Sequence, residues 1–173
     1  FDESNLDLKI EKVTNDTYLK VFQNNLFTSP VMPGNKSLMH SKIKLDLNNT
    51  NYDLTTGLDV YEKLGEQDSD KYQYVFPSYD FSRNINFENL NGIVNFYSSG
   101  SNSLKNTNNL TTSITNDLSY NSNDYFTDFG LKNNFNIYFK NLNSVGKKDP
   151  TYKSSPAIDG MGIFEINSNF PLE

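Results

Sequence analysis

Residues 126–142 read FTDFGLKNNFNIYFKNL, and apolar and polar side chains alternate along this stretch. One parity holds Phe129, Leu131, Phe135, Ile137 and Phe139, with Asn133 as its one break. Side chains of a β-strand point alternately to opposite faces, so the pattern predicts a strand with one apolar face and one polar face. The stretch is much longer than the usual globular strand of about five or six residues, and such length is typical of outer-membrane barrel walls.

Seven further segments show the same alternation. They predict strands over 6–14, 36–48, 51–63, 71–84, 93–102, 108–121 and from about 156 onward. The segment 71–84 has aromatic residues at both parities and Pro77 in its middle. Because proline has no amide hydrogen for the ladder, Pro77 predicts a bulge, a bend or an edge position.

The connections between these strands differ in length. Longer ones near 15–35, 64–70, 102–107 and 143–155 are predicted at one end of the sheet, and shorter ones near 49–50, 85–91 and 121–125 at the other. Four aromatic residues near strand ends could form an interfacial girdle: Tyr52, Tyr97, Tyr120 and Phe129. We therefore expect an all-β fold, an antiparallel meander of about eight long strands that is part of a large transmembrane outer-membrane β-barrel. The alternative is a soluble β-sandwich or lipocalin-like barrel, in which the wet and dry faces are exchanged.

The composition is compatible with both interpretations. The 173 residues include no cysteine and carry a formal net charge of −6, and the longest basic run is Lys147-Lys148. We therefore expect no nucleic-acid partner and no thiolate metal site. The chain does not begin with Met and still reads as strand near its last residues. We expect residues 1–173 to be an internal part of a longer barrel domain, without a complete domain boundary.

Three stretches carry a family resemblance. They are LDLKIEKVTNDTYLKVF (6–22), DKYQYVFPSYDFSRNI (70–85) and YKSSPAIDGMGIFEINSNFPLE (152–173). In order and spacing they resemble the LptD family of outer-membrane lipopolysaccharide-assembly proteins. The resemblance implies the middle of a very large barrel in the cell outer membrane of a Gram-negative bacterium. It also implies the partners lipopolysaccharide, outer-membrane lipids, a plug lipoprotein similar to LptE, and a periplasmic bridge protein similar to LptA, reached through an N-terminal domain outside this sequence.

Few residues suggest chemistry. His40 is the single histidine, and no second histidine or carboxylate cluster stands at ligand spacing, so we expect no catalytic, cofactor or metal site. Four lysines at polar parity could contact anionic sugar or phosphate groups of lipopolysaccharide: Lys42, Lys44, Lys132 and Lys140. The favoured alternative is a hydrated barrel interior that these lysines share with Asp46, Asp59, Asp117 and Asp128.

Two other functions remain open. One is a porin-like or adhesin-like barrel that conducts solutes or binds at the cell surface. The other is a secreted soluble β-sandwich whose carbohydrate-binding face is built from Tyr72, Tyr74 and Tyr79.

Overall fold

The computed structural model describes residues 2–17, 37–66, 70–87 and 90–170, which form nine β-strands and no helix. The strands are β1 (Glu3–Lys9), β2 (Leu38–Asn49), β3 (Tyr52–Lys63), β4 (Tyr72–Ile85), β5 (Gly92–Lys105), β6 (Asn109–Ser122), β7 (Tyr125–Phe126), β8 (Lys132–Lys147) and β9 (Ala157–Asn169). Within the described ranges, no helix is long and apolar enough to span a membrane. The predicted connection 15–35 lies largely outside these ranges.

All nine strands belong to one antiparallel sheet. The order is β1-β2-β3-β4-β5-β6-β8, with β9 along the free side of β8 and the two-residue β7 beside the start of β8. Each long strand therefore pairs with the next long strand in the chain. The predicted all-β antiparallel meander is confirmed, with eight long strands and one very short one. In the described part of the chain, β1 and β9 are the two edges of the sheet.

The strand quoted first begins later than its alternation predicts. Residues 127–130 form a turn, in which the amide of Gly130 donates to the carbonyl of Thr127 at 2.9 Å. Gly130 has a φ of 78°, a left-handed conformation that costs little only for glycine. The connection between β6 and β8 is therefore 123–131, which includes β7. The predicted short turn at 121–125 is wrong. Because the strand starts only at Lys132, Asn133 is its second residue and not a break in the middle of a strand.

The predicted loops 102–107 and 143–155 are also longer than the real ones. β5 continues to Lys105 and β6 begins at Asn109, so residues 106–108 alone make the connection. Asn106 and Thr107 adopt φ values of 51° and 57°, the left-handed conformation that tight hairpins require. β8 likewise extends to Lys147. The predicted regular alternation of long and short connections is wrong, because weakly alternating serine-rich and asparagine-rich stretches still pair as strand.

A bulge in β4 corrects the prediction that this strand has aromatic residues on both faces. The register shifts between Val75 and Ser78 against β5, and opposite them in β3, which confirms the bulge predicted at Pro77. β4 pairs on both sides, so Pro77 is not at an edge. The one inserted residue brings the aromatic residues before and after Pro77 to the same face.

The first strand ends earlier than predicted. β1 stops at Lys9, and residues 10–17 leave the ladder and cross the ends of the neighbouring strands instead. The backbone amide of Glu11 donates to the Ser41 hydroxyl at 3.0 Å, which replaces a ladder hydrogen bond with a side-chain contact.

Candidate functional surfaces

The pairing register defines one apolar face, because residues paired across strands lie on the same side of a sheet. Leu45 pairs with Leu6, and Ile137 pairs with Phe164. The larger apolar residues of this face include Leu6, Leu8, Ile43, Leu45, Leu47, Leu54, Leu58, Tyr79, Phe81, Phe96, Ile114, Leu118, Tyr120, Phe135, Ile137, Phe139, Phe164 and Ile166.

No second layer of described residues covers this face. Met39 is the one buried apolar side chain in the described part of the chain, whereas Phe139 and Phe164 are 51% and 62% exposed. Apolar surface exposed on this scale is unfavourable in water. The face therefore needs lipid or another protein layer against it.

Two of the four girdle aromatics are on the apolar face and two are not. Tyr52 is on this face because its ring stacks on that of Phe81. Tyr120 is on it because it pairs with Ile137. Tyr97 instead pairs with Asp117, and its hydroxyl donates to Asp80 at 2.7 Å, so it lies on the polar face. Phe129 lies in the turn before β8 and is 87% exposed. The predicted position of Tyr97 is wrong because β5 has apolar residues at both parities, and its pairing with β6 places the parity of Val94 and Phe96 on the apolar face. The predicted position of Phe129 is wrong because β8 begins only at Lys132.

The four candidate lysines all form ion pairs. Lys42 pairs with Asp7, Lys44 with Asp46 at 2.9 Å, Lys132 with Asp124 at 2.7 Å and Lys140 with Asp117 at 3.1 Å. On the polar face, strand pairing places carboxylates beside three of these lysines, Lys42, Lys44 and Lys140. Exposed pairs of this kind contribute little stability, but they leave no patch of one sign at the positions of these four lysines. Asp46 and Asp117 are thus ion-pair partners of these lysines, whereas Lys132 uses Asp124 rather than Asp128.

His40 has a closer partner than the sequence suggests. Its Nε2 lies 2.7 Å from Oδ1 of Asp59, and its ring stacks on Tyr61 with centroids 4.4 Å apart. The hairpin register could have predicted this, since a turn at 50–51 pairs His40 with Tyr61 and Lys42 with Asp59. Among the described residues, no three His, Cys, Asp or Glu side chains come together as metal ligands. The pair is therefore a cross-strand contact on the polar face.

Residues 11–16, which we call the strap, cross the ends of β2, β3 and β4. Lys12 Nζ lies 3.2 Å from the Glu62 carboxylate, and Asp16 accepts hydrogen bonds from Lys71 Nζ at 2.8 Å and the Gly65 amide at 3.0 Å. The Lys71 ammonium and the Gly65 amide lower the pKa of Asp16, and the Asp16 carboxylate raises the pKa of Lys71. Glu62 is only 5% exposed there. Only the folded chain brings these groups together, so the sequence alone gave no sign of the strap.

A polar ladder crosses the apolar face, which sequence reasoning also missed. Ser98 donates to Asn116 Oδ1 at 2.8 Å, and Asn116 donates to Asn141 Oδ1 at 3.2 Å. Asn143 also donates to Asn141 Oδ1, at 2.6 Å. The Tyr79 hydroxyl lies 3.1 Å from the Ser98 hydroxyl and extends this ladder to β4. The apolar face is therefore interrupted in β5, β6 and β8.

No protein-family model matches the chain, and no curated protein is detectably similar to it.

Proposed function

We propose that the chain forms part of the wall of a transmembrane outer-membrane β-barrel, with its apolar face toward lipid and its polar face toward the lumen. The observation that carries this proposal is the course of the apolar belt, the band of large apolar residues on the apolar face. The belt crosses the strands obliquely.

One row of paired residues provides the reference line. From Leu45 in β2 the pairing leads through Thr56, Tyr79, Gly100, Ile114 and Asn143 to Ile158 in β9. In β2 the apolar run Ile43, Leu45 and Leu47 is centred on this row. In β9 the neighbouring apolar residues Phe164 and Ile166 are centred on Glu165, seven residues beyond Ile158. In β8 the run 135–139 is likewise displaced from Asn143 toward the same end of the sheet.

These displacements give the belt an angle. Seven residues correspond to about 23 Å along a strand, and the six strand spacings from β2 to β9 to about 29 Å. The belt therefore runs at about 40° to the row of paired residues, which matches the tilt of about 35–45° of strands in transmembrane barrels. A flat lipid layer around tilted strands requires such an oblique belt. The polar ladder then lies within the belt at Ser98 in β5 and to one side of its centre at Asn116 in β6 and Asn141 in β8.

The single layer also favours the membrane proposal over a soluble sandwich. A β-sandwich buries one face of each sheet against a second sheet about 10 Å away. The described residues supply one sheet only, and its apolar face is exposed. Lipid would cover that face without a second sheet.

Within this class we propose a role in lipopolysaccharide export. The support is the ordered resemblance of 6–22, 70–85 and 152–173 to lipopolysaccharide-assembly proteins. The wall would hold a hydrated lumen and contact a plug lipoprotein, and the ion-paired polar face suits both tasks. A porin is the competing function, and the mixed charges of the polar face suit it equally.

Depletion of the protein in its host tests the export role. Lipopolysaccharide should then accumulate on the periplasmic side. Expression of a His40→Ala variant should restore export, because the His40 side chain makes cross-strand contacts to Asp59 and Tyr61, and its backbone contact to the strap is kept in the variant. Normal surface lipopolysaccharide after depletion would refute the export role. Steady ion conductance by the purified barrel would support the porin instead.

A further inference from the structure

A groove of about 350 Å³ lies on the polar face, at the end of the sheet where Asp70, Lys71 and Asn106 lie. Its walls include Tyr61, Lys63, Lys71, Gln73, Val75 and Lys105. The register explains why they meet, since Tyr61 pairs with Gln73 and Gln73 pairs with Lys105. Three consecutive strands thus contribute to one groove.

The lysines of this groove differ from the four candidate lysines of the polar face. Those four each have a carboxylate partner, whereas Lys63 and Lys105 form no ion pair with any residue in the described ranges. Lys71 is already paired with Asp16 and Glu62. The one carboxylate that lines the groove is Asp70. Two lysines without an ion-pair partner in the described ranges therefore line one groove.

We propose that this groove binds a phosphate or carboxylate group carried on a sugar ring. Ammonium groups are strong donors to such anions, and two of them in one groove can bind the same anion. The side chains of Tyr61 and Val75 provide apolar wall beside the charges, which suits the carbon skeleton of a sugar ring. The volume is large enough for a group of that size.

The anionic sugar could belong to a lipid headgroup or to a soluble sugar phosphate. The proposal that the groove binds an anionic sugar does not depend on the membrane proposal. The proposal that this sugar is part of a lipid headgroup rests on the proposed function. Binding of glucose 1-phosphate tests the site, and binding of a phosphorylated glycolipid in detergent micelles tests the source.

The experiment measures the affinity of the full-length protein, purified in detergent, for glucose 1-phosphate, glucose and inorganic phosphate. Glucose 1-phosphate should bind most tightly, and its affinity should fall as salt is raised. A Lys63→Gln/Lys105→Gln double variant should bind about tenfold or more weakly, and Lys63→Arg/Lys105→Arg should retain most of the affinity. The matched control is Lys147→Gln/Lys148→Gln, which removes two lysines without a carboxylate partner near the same end of the sheet.

Several results would overturn the proposal. These are no binding by the natural protein, equal binding of glucose and glucose 1-phosphate, or equal loss in the control variant. Normal binding together with normal lipopolysaccharide export after depletion would retain the site and reject the export role. Micelle binding that is tighter than that of glucose 1-phosphate, and lost in the double variant, would assign the headgroup as the source.

Discussion

Tyr74 and Phe81 lie on the same face of β4, although seven positions separate them and an unbroken strand would place them on opposite faces. Tyr74 pairs with Val60 and Phe81 pairs with Leu54, two residues of one parity in β3. The bulge at Phe76 and Pro77 supplies the change of parity. The apolar face thereby continues from β3 into β4 on both sides of the bulge.

Insertion of one alanine after Pro77 should therefore impair folding severalfold. With one residue more, β4 must either turn Tyr79 and Phe81 to the polar face or lose its pairing beyond the bulge. The fraction of protein that runs as a compact, heat-modifiable species on gels would report this. Insertion of one alanine after Ser154, in the connection between β8 and β9, is the control and should be tolerated. Equal folding of both insertion variants would show that the bulge does not set the register.

The polar ladder should contribute to the stability of the sheet. Asn141→Ala removes the acceptor of both Asn116 and Asn143, and a hydrogen bond of this kind contributes about 1 kcal/mol. We expect a lower midpoint of urea unfolding. Asn167→Ala removes one exposed hydrogen bond to Asn134 and should shift that midpoint less. A larger effect of Asn167→Ala would contradict the ladder's role.

The strap should loosen in acid. The pKa of Asp16 is lowered in the folded chain, so its contribution is present above its ordinary value near 3.8 and is lost as pH falls through the folded-state value. The pKa of Lys71 is raised, so its contribution is present below its ordinary value and is lost only as pH rises through the folded-state value. We expect hydrogen exchange at the Gly65 amide, corrected for the intrinsic pH dependence, to lose protection only in strong acid or strong base.

Asp16→Asn tests the strap directly. The variant should lose protection at Gly65 already at neutral pH, because the amide side chain cannot form the charge-assisted contact with Lys71. Asp53→Asn at the opposite end of β3 is the control, since Asp53 accepts only a 3.5 Å contact from Ser82. Unchanged exchange at Gly65 in Asp16→Asn would show that the strap is not held by this pair.

Alternation predicted the meander, but it could not fix where strands begin. In 126–142 the alternation of apolar and polar residues continues through the turn at Gly130. The turn residues happen to alternate in the same way, so the sequence does not reveal that they are outside the strand. In 71–84 the opposite occurs. The bulge at Pro77 breaks the alternation in the sequence, although the aromatic residues before and after it share the apolar face of the folded strand. The lysine-lined groove, the strap and the His40–Asp59 pair depend on the register between strands. Counting residues back from a hairpin turn predicts that register only where the turn is correctly placed.

Arginine substitution at three positions of the apolar face tests the oblique belt most directly. Ile158 and Phe164 have the same parity in β9 and are 77% and 62% exposed, so they differ in depth rather than in packing. An arginine on the lipid side costs about 2–4 kcal/mol at the middle of the membrane and little near the interface. Membrane insertion of the full-length protein, measured in its host, should fail for Phe164→Arg and Leu45→Arg and succeed for Ile158→Arg. Equal insertion of all three variants, or failure of Ile158→Arg while Phe164→Arg inserts, would contradict a lipid-facing belt with this tilt.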